Sequence, residues 1–299
     1  MLKVAVIGLG KLGSIHLRIY KESKQIEKIY LVDTDPKVLQ NTNLPTDSDY
    51  KNLKDKIDLA SITTPTSSHF EIAEFFLKNK IPVLVEKPIT KDFKKAEKLI
   101  QIAKKNKTLL FVGHVERYNS AYLKIKESIK NPLFIECHRL SPYPNRSLDV
   151  SVVLDLMIHD LDIILDLVPD KVKKIEAKGV KVLSNTEDIA NCRINFKKGC
   201  VANVTSSRIS SKKERKVRIF MPNKYISVDY ANQSVELYQK KENKISHKVL
   251  QIDKQEPLKE EINHFIHLVI NKSFKTSYAQ GAKDALKTAT KIEKIIKKY

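Results

Sequence analysis

The most constraining feature of the chain is a glycine pattern that directly follows its first apolar segment. Val4–Ile7 is a short apolar run, and Gly8-Leu9-Gly10-Lys11-Leu12-Gly13 comes after it in the order G-x-G-x-x-G. A strand, this loop and then a helix predict a βαβ unit that binds the pyrophosphate of a dinucleotide. Gly8 permits the tight turn, Gly10 a close approach to phosphate, and Gly13 the packing of helix on strand. The same loop supplies two further candidate cofactor contacts, Lys11 and Leu12.

A carboxylate at the end of the expected second strand indicates which dinucleotide is bound. Asp33 lies twenty residues after Gly13. From there it can accept hydrogen bonds from the ribose hydroxyls of adenosine, and it would repel a 2′-phosphate. Thr34 and Asp35 add no arginine to hold such a phosphate, although Lys37 is near. The sequence therefore favours NAD over NADP as the cofactor.

The first part of the chain alternates apolar strands with helical stretches, among them 66–78 and 93–104. Each strand is apolar throughout, as in parallel sheets that are covered on both faces. This rhythm predicts an α/β fold with a doubly wound parallel sheet, a Rossmann domain. The expected strands are Val4–Ile7, Ile29–Val32, Leu59–Ile62, Val83–Val85 and Leu109–Val112.

The second part has a two-residue period instead. Apolar and polar residues alternate over 190–196, 226–230 and 234–238, and Lys197-Lys198-Gly199 marks a turn. This pattern predicts an α+β domain with an antiparallel or mixed sheet that has one half-exposed face. Two helices, near 256–270 and 280–297, are expected to end the chain. We place the boundary at Asn119–Ser120, which gives an NAD-binding domain over 1–119 and a substrate domain over 120–299.

Composition excludes several classes of protein. Of the 299 residues, 41% are hydrophobic and 30% charged, which argues against disorder. The net charge of +20 invites a nucleic-acid hypothesis, but only eight of the 55 basic residues are arginine and the lysines are scattered, so we expect no nucleic acid as a partner. No uncharged stretch is long enough for a membrane helix. Three widely spaced cysteines, with no metal-ligand spacing, indicate reduced thiols in a cytoplasmic protein without a metal site.

Candidate catalytic groups occur in both parts of the chain. Glu86-Lys87-Pro88 follows the fourth strand, where ligands bind in open α/β sheets, and Lys87 could hydrogen-bond a substrate hydroxyl there. The alternative for this tripeptide is a surface lysine before a turn. Asp155 and His159 lie four residues apart on an expected helix over 151–167, hence on one face, where the carboxylate can orient the imidazole. The alternative for a lone histidine is a packed core residue.

The segment 113–119, after the fifth strand, carries Arg117 and Tyr118. These side chains are expected either to contact substrate or to hold the two domains together.

These motifs together resemble the glucose–fructose oxidoreductase, inositol dehydrogenase and MocA family over nearly the whole chain. The resemblance is carried by Gly8–Gly13, by Thr64-Pro65-Thr66-Ser67-Ser68-His69, by Glu86-Lys87-Pro88, and by Asp155 with His159. It implies that Lys87, Asp155 and His159 form the catalytic set. It also implies that Thr64, Pro65, His69 and Glu86 line the cofactor, that the Lys87–Pro88 peptide is cis, and that a large open sheet joins copies into a dimer or tetramer.

Two segments, 113–119 and 149–160, resemble the branch of this family that oxidises the 3-hydroxyl of UDP-N-acetylglucosamine. Met157 departs from the glycine of many members and is expected to narrow the space near the catalytic pair, and Tyr118 stands where phenylalanine is common. A nucleotide diphosphate needs cationic partners, for which Arg117, Arg146 and Arg208 are candidates. The alternatives are a dehydrogenase of a free sugar or polyol, and an NAD-binding regulator without activity.

Overall fold

The computed structural model describes residues 1–40, 42–143 and 150–298. Contacts within the chain define two compact units. The first comprises Met1–His114 with Leu258–Lys283, and the second comprises Val115–Pro257 with Asp284–Tyr299. Residues 258–283 therefore belong to the first unit, whereas a single boundary at 119/120 would place them in the second. The assignment of separate roles to 1–119 and 120–299 stays a prediction.

The α-helices are α1 (Lys11–Glu22), α2 (Pro36–Leu39), α3 (Thr66–Lys78), α4 (Phe93–Asn106), α5 (Ser120–Lys126), α6 (Ile158–Leu167), α7 (Pro257–Ile270) and α8 (Ser277–Ile296). Two 3₁₀ turns cover Tyr50–Leu53 and Val115–Tyr118, and a π-helical turn covers Val153–Met157. The strands are β1 (Leu2–Ile7), β2 (Ile26–Val32), β3 (Thr46–Asp47), β4 (Leu59–Ile62), β5 (Val83–Glu86), β6 (Leu110–Gly113), β7 (Phe134–Leu140), β8 (Val172–Val180), β9 (Ile189–Phe196), β10 (Val201–Ser207), β11 (Glu214–Met221), β12 (Lys224–Asp229), β13 (Ser234–Lys241) and β14 (Lys244–Leu250).

The first unit is built on a parallel sheet in the order β3-β2-β1-β4-β5-β6. Every residue of β4, β5 and β6 is buried, which explains why these strands are mainly apolar, with Ser61 in β4, Glu86 at the end of β5 and Gly113 at the end of β6 as the exceptions. The strand order reverses between β1 and β4, so the crevice for a ligand lies at the carboxyl ends of these two strands. The predicted doubly wound sheet is thereby confirmed, with β3 as an addition.

The second unit is built on a mixed sheet in the order β14-β13-β12-β11-β7-β10-β9-β8. The central pair β7 and β10 runs parallel, and the other neighbours run antiparallel. Burial alternates along β7, where Ile135 and Cys137 are buried while Glu136 and His138 are partly exposed. The turn at Lys197–Gly199 joins β9 to β10, and Gly199 has φ of +101°, a conformation that favours glycine. The predicted mixed sheet with one accessible face is confirmed.

The accessible face of this sheet carries a row of stacked aromatic rings, one from each of five neighbouring strands. Consecutive ring centroids are 4.3 to 5.6 Å apart. Cross-strand aromatic pairs of this kind stabilise a sheet and pin its register. The members of this aromatic row are Phe134, Phe220, Tyr225, Tyr238 and His247.

No helix in the described ranges is long and apolar enough to cross a membrane. The three cysteines are buried free thiols. Burial raises the pKa of each thiol, to about 12 for Cys192 and about 11 for Cys200. Such thiols are unreactive at neutral pH.

Candidate functional site

The glycine loop after β1 has the backbone that a dinucleotide requires. Gly8 has φ of +88°, and a Cβ there would lie 2.8 Å from the backbone nitrogen of Thr64. A Cβ on Gly13 would lie 1.8 Å from the carbonyl oxygen of Gly8, so helix α1 can approach β1 only with glycine at this position. The Thr63 hydroxyl lies 2.6 Å from the Gly8 carbonyl and donates to it. Thr63 thus holds the loop, a role for which the sequence offered no signal.

The space in front of this loop is open at Gly10. A Cβ on Gly10 would meet no described atom within 4 Å. Gly10 is also the N-cap of α1, and among the described residues no side chain caps that helix end. The first N–H groups of α1, those of Lys11, Leu12 and Gly13, have no partner within the helix and carry the partial positive charge of its N-terminus. This arrangement fits a pyrophosphate.

Asp33 lies directly after β2 and is partly buried. Its Oδ2 accepts the Leu9 N–H at 2.7 Å, and its Oδ1 accepts the Asp35 N–H at 3.0 Å. Each carboxylate oxygen keeps a second lone pair, so Asp33 can still accept ribose hydroxyls while it holds the glycine loop in place. These contacts support its predicted role in cofactor binding.

The loop after β4 brings Thr64 and Pro65 beside the glycine loop, as the contact of Gly8 with Thr64 shows. His69, in α3, is buried, and its two ring nitrogens lie 2.9 Å from the Thr64 carbonyl and 3.0 Å from the Pro88 carbonyl. Burial lowers the pKa of His69, which favours the neutral ring. A neutral ring has a single N–H, so His69 donates to one of these two carbonyl oxygens at a time. We therefore interpret His69 as a buried side chain between the two loops, rather than one that lies against the cofactor.

The segment Glu86-Lys87-Pro88 ends β5 at the same sheet edge. Within 81–90 Lys87 alone is not buried, so its side chain is the accessible group of this segment. The Lys87–Pro88 peptide is cis, as the resemblance implies. Glu86 is buried, and its Oε2 accepts the Lys87 N–H at 3.3 Å. A buried Glu86 acts on the backbone of Lys87 more directly than on a cofactor.

In the second unit, the expected helix over 151–167 begins with a π-helical turn, Val153–Met157, and continues as α6. Such turns are rare and are frequently found at functional sites. Asp155 and His159 flank the junction, and within 150–164 only Asp155, Leu156 and His159 are not buried. The pair therefore lies at an accessible window of a mostly buried helix. The sequence predicted the helix and the pair but not the change of helical period.

The buried acidic residues of this helix are bound by two arginines. Arg139 of β7 hydrogen-bonds both oxygens of Asp160 at 2.9 Å and donates to Glu116 at 2.8 Å. Arg117 donates to both oxygens of Asp162, at 2.6 and 2.9 Å, and to Asp166 at 3.1 Å. The guanidinium of Arg117 is occupied by these carboxylates, so its geometry supports a structural role and not the expected contact with substrate.

The remaining candidates for phosphate binding differ in their positions. Arg208 is 0% exposed and donates to Asp188, to the Val150 carbonyl, and to Ser184 and Thr186. This corrects the expectation for Arg208, because a fully buried guanidinium with these partners cannot reach a substrate phosphate. Arg146 lies outside the described residues. Tyr118 ends the 3₁₀ turn Val115–Tyr118 and is partly exposed, which leaves it accessible to a ligand.

Met157 also lies elsewhere than expected. Its side chain is fully buried, and its Sδ lies 3.7 Å from Sγ of Cys192 on β9. The methionine therefore packs against the sheet and does not narrow the accessible window that holds Asp155 and His159. Within the ranges that the structure describes, no group of three or more His, Cys, Asp or Glu residues is arranged to hold a metal ion.

The chain is similar to known proteins over both of its units. The model of an oxidoreductase family with an NAD-binding Rossmann fold matches residues 2–114, and that of the GFO/IDH/MocA C-terminal domain matches residues 129–227. The UDP-N-acetylglucosamine 3-dehydrogenase of Acidithiobacillus ferrooxidans is 32% identical over 240 residues, which cover 79% of this chain and 77% of the relative. The myo-inositol 2-dehydrogenase of Thermotoga maritima is 27% identical over 246 residues, 69% of each chain.

A solved structure agrees with this result. The UDP-N-acetylglucosamine 3-dehydrogenase GnnA from Acidithiobacillus ferrooxidans superposes with a TM-score of 0.91 at 28% identity, covering 99% of this chain and 98% of that one. The glycine loop, Asp33 and the sheet order fit the cofactor that the family model names. The chain therefore belongs to the Gfo/Idh/MocA family of NAD-dependent oxidoreductases.

Proposed function

We propose that this dehydrogenase oxidises the 3-hydroxyl of UDP-N-acetylglucosamine to the 3-keto sugar. The observation that carries the proposal is the 32% identity to a UDP-N-acetylglucosamine 3-dehydrogenase across 79% of the chain. The positions of Lys87, Asp155 and His159 support it, since each is partly exposed within an otherwise buried segment. A regulator without activity would have no need of these three accessible groups.

NAD, when bound, accepts the hydride that leaves the carbinol carbon. In the proposed mechanism, His159 accepts the proton of the sugar hydroxyl, and the Lys87 ammonium hydrogen-bonds the same oxygen as it becomes a carbonyl. Asp155, one helical turn before His159, orients the imidazole and stabilises its protonated form. General acid–base assistance of this kind contributes roughly 10²–10⁴-fold to the rate.

For the diphosphate of the substrate, Arg146 remains the proposed cationic partner, and Tyr118 remains a proposed contact. Arg117 and Arg208 are not part of this proposal because their guanidinium groups are bound by carboxylates. The second candidate substrate is smaller and has no nucleotide. The likeness to the myo-inositol 2-dehydrogenase favours a free polyol as the second candidate.

The test is a set of turnover assays that follow NADH at its absorbance. We expect UDP-N-acetylglucosamine to give a kcat/KM at least about tenfold above that of N-acetylglucosamine or myo-inositol, since the diphosphate adds charged hydrogen bonds. Oxidation of myo-inositol with the higher kcat/KM would replace the proposal by the second candidate. Absence of turnover with all three compounds would contradict both.

We further propose a homo-oligomer, a dimer or tetramer, in the cytoplasm. The aromatic row on the accessible face of the second sheet supports the oligomer, because exposed aromatic side chains are enriched at protein interfaces. Light scattering coupled to size exclusion gives the number of copies, and a monomer at micromolar concentration would contradict the proposal.

A further inference from the structure

A buried polar triad in the first unit joins three elements of the cofactor domain. His16 of α1 lies with its Nδ1 2.8 Å from the Ser61 hydroxyl of β4 and its Nε2 3.1 Å from Oε1 of Glu86, at the end of β5. His16 and Ser61 are 0% exposed, and Glu86 is 8% exposed. A buried polar group is costly unless it is hydrogen-bonded, so each member of the triad depends on the others.

The chemistry of the three groups determines which atom donates and which accepts in each hydrogen bond. A carboxylate oxygen accepts hydrogen bonds, so the hydrogen bond to Oε1 of Glu86 places a ring proton of His16 on Nε2. Nδ1 is then an acceptor, and the Ser61 hydroxyl donates to it. His16 therefore fixes one oxygen of Glu86 in a single position, with its own ring held by Ser61.

The other oxygen of Glu86 reaches Lys87. Oε2 accepts the Lys87 backbone N–H at 3.3 Å. On the remaining side, a Cβ built on Gly113 would lie 3.0 Å from Oε1 of Glu86 and 3.1 Å from Oε1 of Glu261 in α7. The Glu86 carboxylate thus lies in a close-fitting space, with His16 on one side and the bare backbone of Gly113 on another.

We propose that His16 is a positioning residue for Lys87, acting through Glu86. The proposal rests on the proposed function, in which Lys87 touches the substrate hydroxyl. A side chain on the helix that follows the glycine loop then sets the backbone from which the lysine extends. His16 is too deeply buried to contact substrate, and the proposed mechanism does not use it.

The test compares His16→Gln with His16→Asn. The glutamine amide can donate to Glu86 from near the position of Nε2, whereas the shorter asparagine amide reaches only the position of Nδ1 and Ser61. We expect His16→Asn to lower kcat and to raise hydrogen–deuterium exchange at the Lys87 amide, each by about tenfold, the usual cost of losing a hydrogen bond to a charged group. We expect His16→Gln to stay within about threefold of wild type in both, and the Kd for NAD to change little in either.

A second variant perturbs the Glu86 carboxylate from the side of Gly113. Gly113→Ala places a methyl group 3.0 Å from Oε1 of Glu86 and 3.1 Å from Oε1 of Glu261. It should also raise exchange at the Lys87 amide and lower kcat, and it decides the matter if His16→Asn does not fold. Unchanged exchange at Lys87 in this variant would overturn the proposal.

The remaining outcomes are also decisive. Equal kcat and equal Lys87 exchange in His16→Gln and His16→Asn would reduce His16 to a packing residue. If the wild-type protein turns over no UDP-sugar, the proposed function fails, while exchange at the Lys87 amide, which needs no substrate, still decides whether His16 positions this residue.

Discussion

Arg139 binds Asp160 through two parallel hydrogen bonds, from Nε to Oδ2 and from Nη2 to Oδ1, each 2.9 Å long. Asp160 directly follows His159, the proposed base, in the chain. Arg139 is 2% exposed and Asp160 3%, so this ion pair is removed from water, and Arg139 also binds Glu116. A bidentate pair fixes the rotation of the helix about its axis, and with it the direction in which His159 extends.

Replacing Arg139 should therefore destabilise the protein strongly. Arg139→Met leaves Asp160 buried without the guanidinium that binds it, while Glu116 keeps only the more distant Arg215, 3.8 Å away. The loss of one partner from a buried pair costs about 3–5 kcal/mol. Urea denaturation measures the change in the free energy of unfolding. The matched control is Arg193→Met on strand β9 of the same sheet, where the exposed guanidinium donates to Asn203, and we expect a change within about 0.5 kcal/mol. A similar, small effect of both substitutions would contradict this account of Arg139.

Substitutions of the second and third glycines of the nucleotide loop, Gly10 and Gly13, should impair different properties of the protein. Gly10→Ala adds a methyl group in open space, so the free energy of unfolding should stay near that of wild type, while NAD affinity falls by about tenfold or more because the methyl group occupies the path of the pyrophosphate. Gly13→Ala forces a Cβ against the Gly8 carbonyl and should lower the melting temperature. Calorimetric titration with NAD and thermal unfolding separate the two effects. Unimpaired NAD binding by Gly10→Ala would place the pyrophosphate elsewhere.

Much of the first unit could be predicted because its signals are local. Strands β4 to β6 are mainly apolar since both faces are covered, and α3 begins at Thr66 and ends at Lys78 as expected. The glycine loop depends on φ and on close approach, which only glycine satisfies. The burial of these strands, the bounds of α3 and the conformation of the glycine loop depend on residues that are close in the chain, so a single sequence suffices to predict them.

The roles of the arginines could not be predicted in the same way. Arg117 pairs with Asp162, 45 residues away, and Arg208 with Asp188, 20 residues away. A sequence without its fold does not show whether a guanidinium meets a carboxylate of the protein or a phosphate of a ligand, because both partners bind it with the same geometry. The π-helical turn before His159 was not predicted either, because a change in helical period depends on contacts with distant parts of the chain.

Removing the charge of Asp33 should weaken the preference for NAD. Asp33→Asn keeps one oxygen that can accept the Leu9 N–H and gives up the exposed hydrogen bond from the Asp35 N–H, so the glycine loop keeps its contact while the repulsion of a 2′-phosphate is lost. The ratio of kcat/KM for NAD to that for NADP is expected to fall by about tenfold. Steady-state kinetics with both cofactors measure it, with Asp35→Asn as the control on an exposed neighbouring carboxylate. An unchanged ratio would show that Asp33 does not set the preference.

Glu293 should make stability depend on pH. Burial raises the pKa of its carboxyl above the ordinary value, and the charge of Glu187 adds to this, while Ser151 and Lys297 act in the opposite direction. The folded state therefore holds this proton more tightly than the unfolded chain, so the free energy of unfolding declines as pH rises above the ordinary glutamate pKa. Glu293→Gln keeps an acceptor for the Ser151 hydroxyl, 2.6 Å away, and removes the charge.

We expect Glu293→Gln to be more stable than wild type at pH 8, with a difference that vanishes towards pH 4, where both side chains are neutral. Urea titrations at a series of pH values measure it. The exposed Glu127→Gln serves as a control and should follow the wild-type profile. A variant less stable than wild type at pH 8 would show that the carboxylate of Glu293 stabilises the fold.

Lys87 is the residue on which the proposed chemistry depends most directly. Lys87→Met keeps the length of the side chain and removes the ammonium group, so a substrate hydroxyl would lose its charged hydrogen-bond donor. We expect kcat to fall by roughly 10²–10⁴-fold while the Kd for NAD changes by less than about threefold, because the cofactor contacts of the glycine loop and Asp33 are untouched. Lys104→Met, at an exposed position of α4, is the matched control and should keep wild-type turnover. If Lys87→Met retained near-normal turnover with a substrate that the wild-type protein oxidises, Lys87 would have no part in the proton transfer, and His159 would have to act without it.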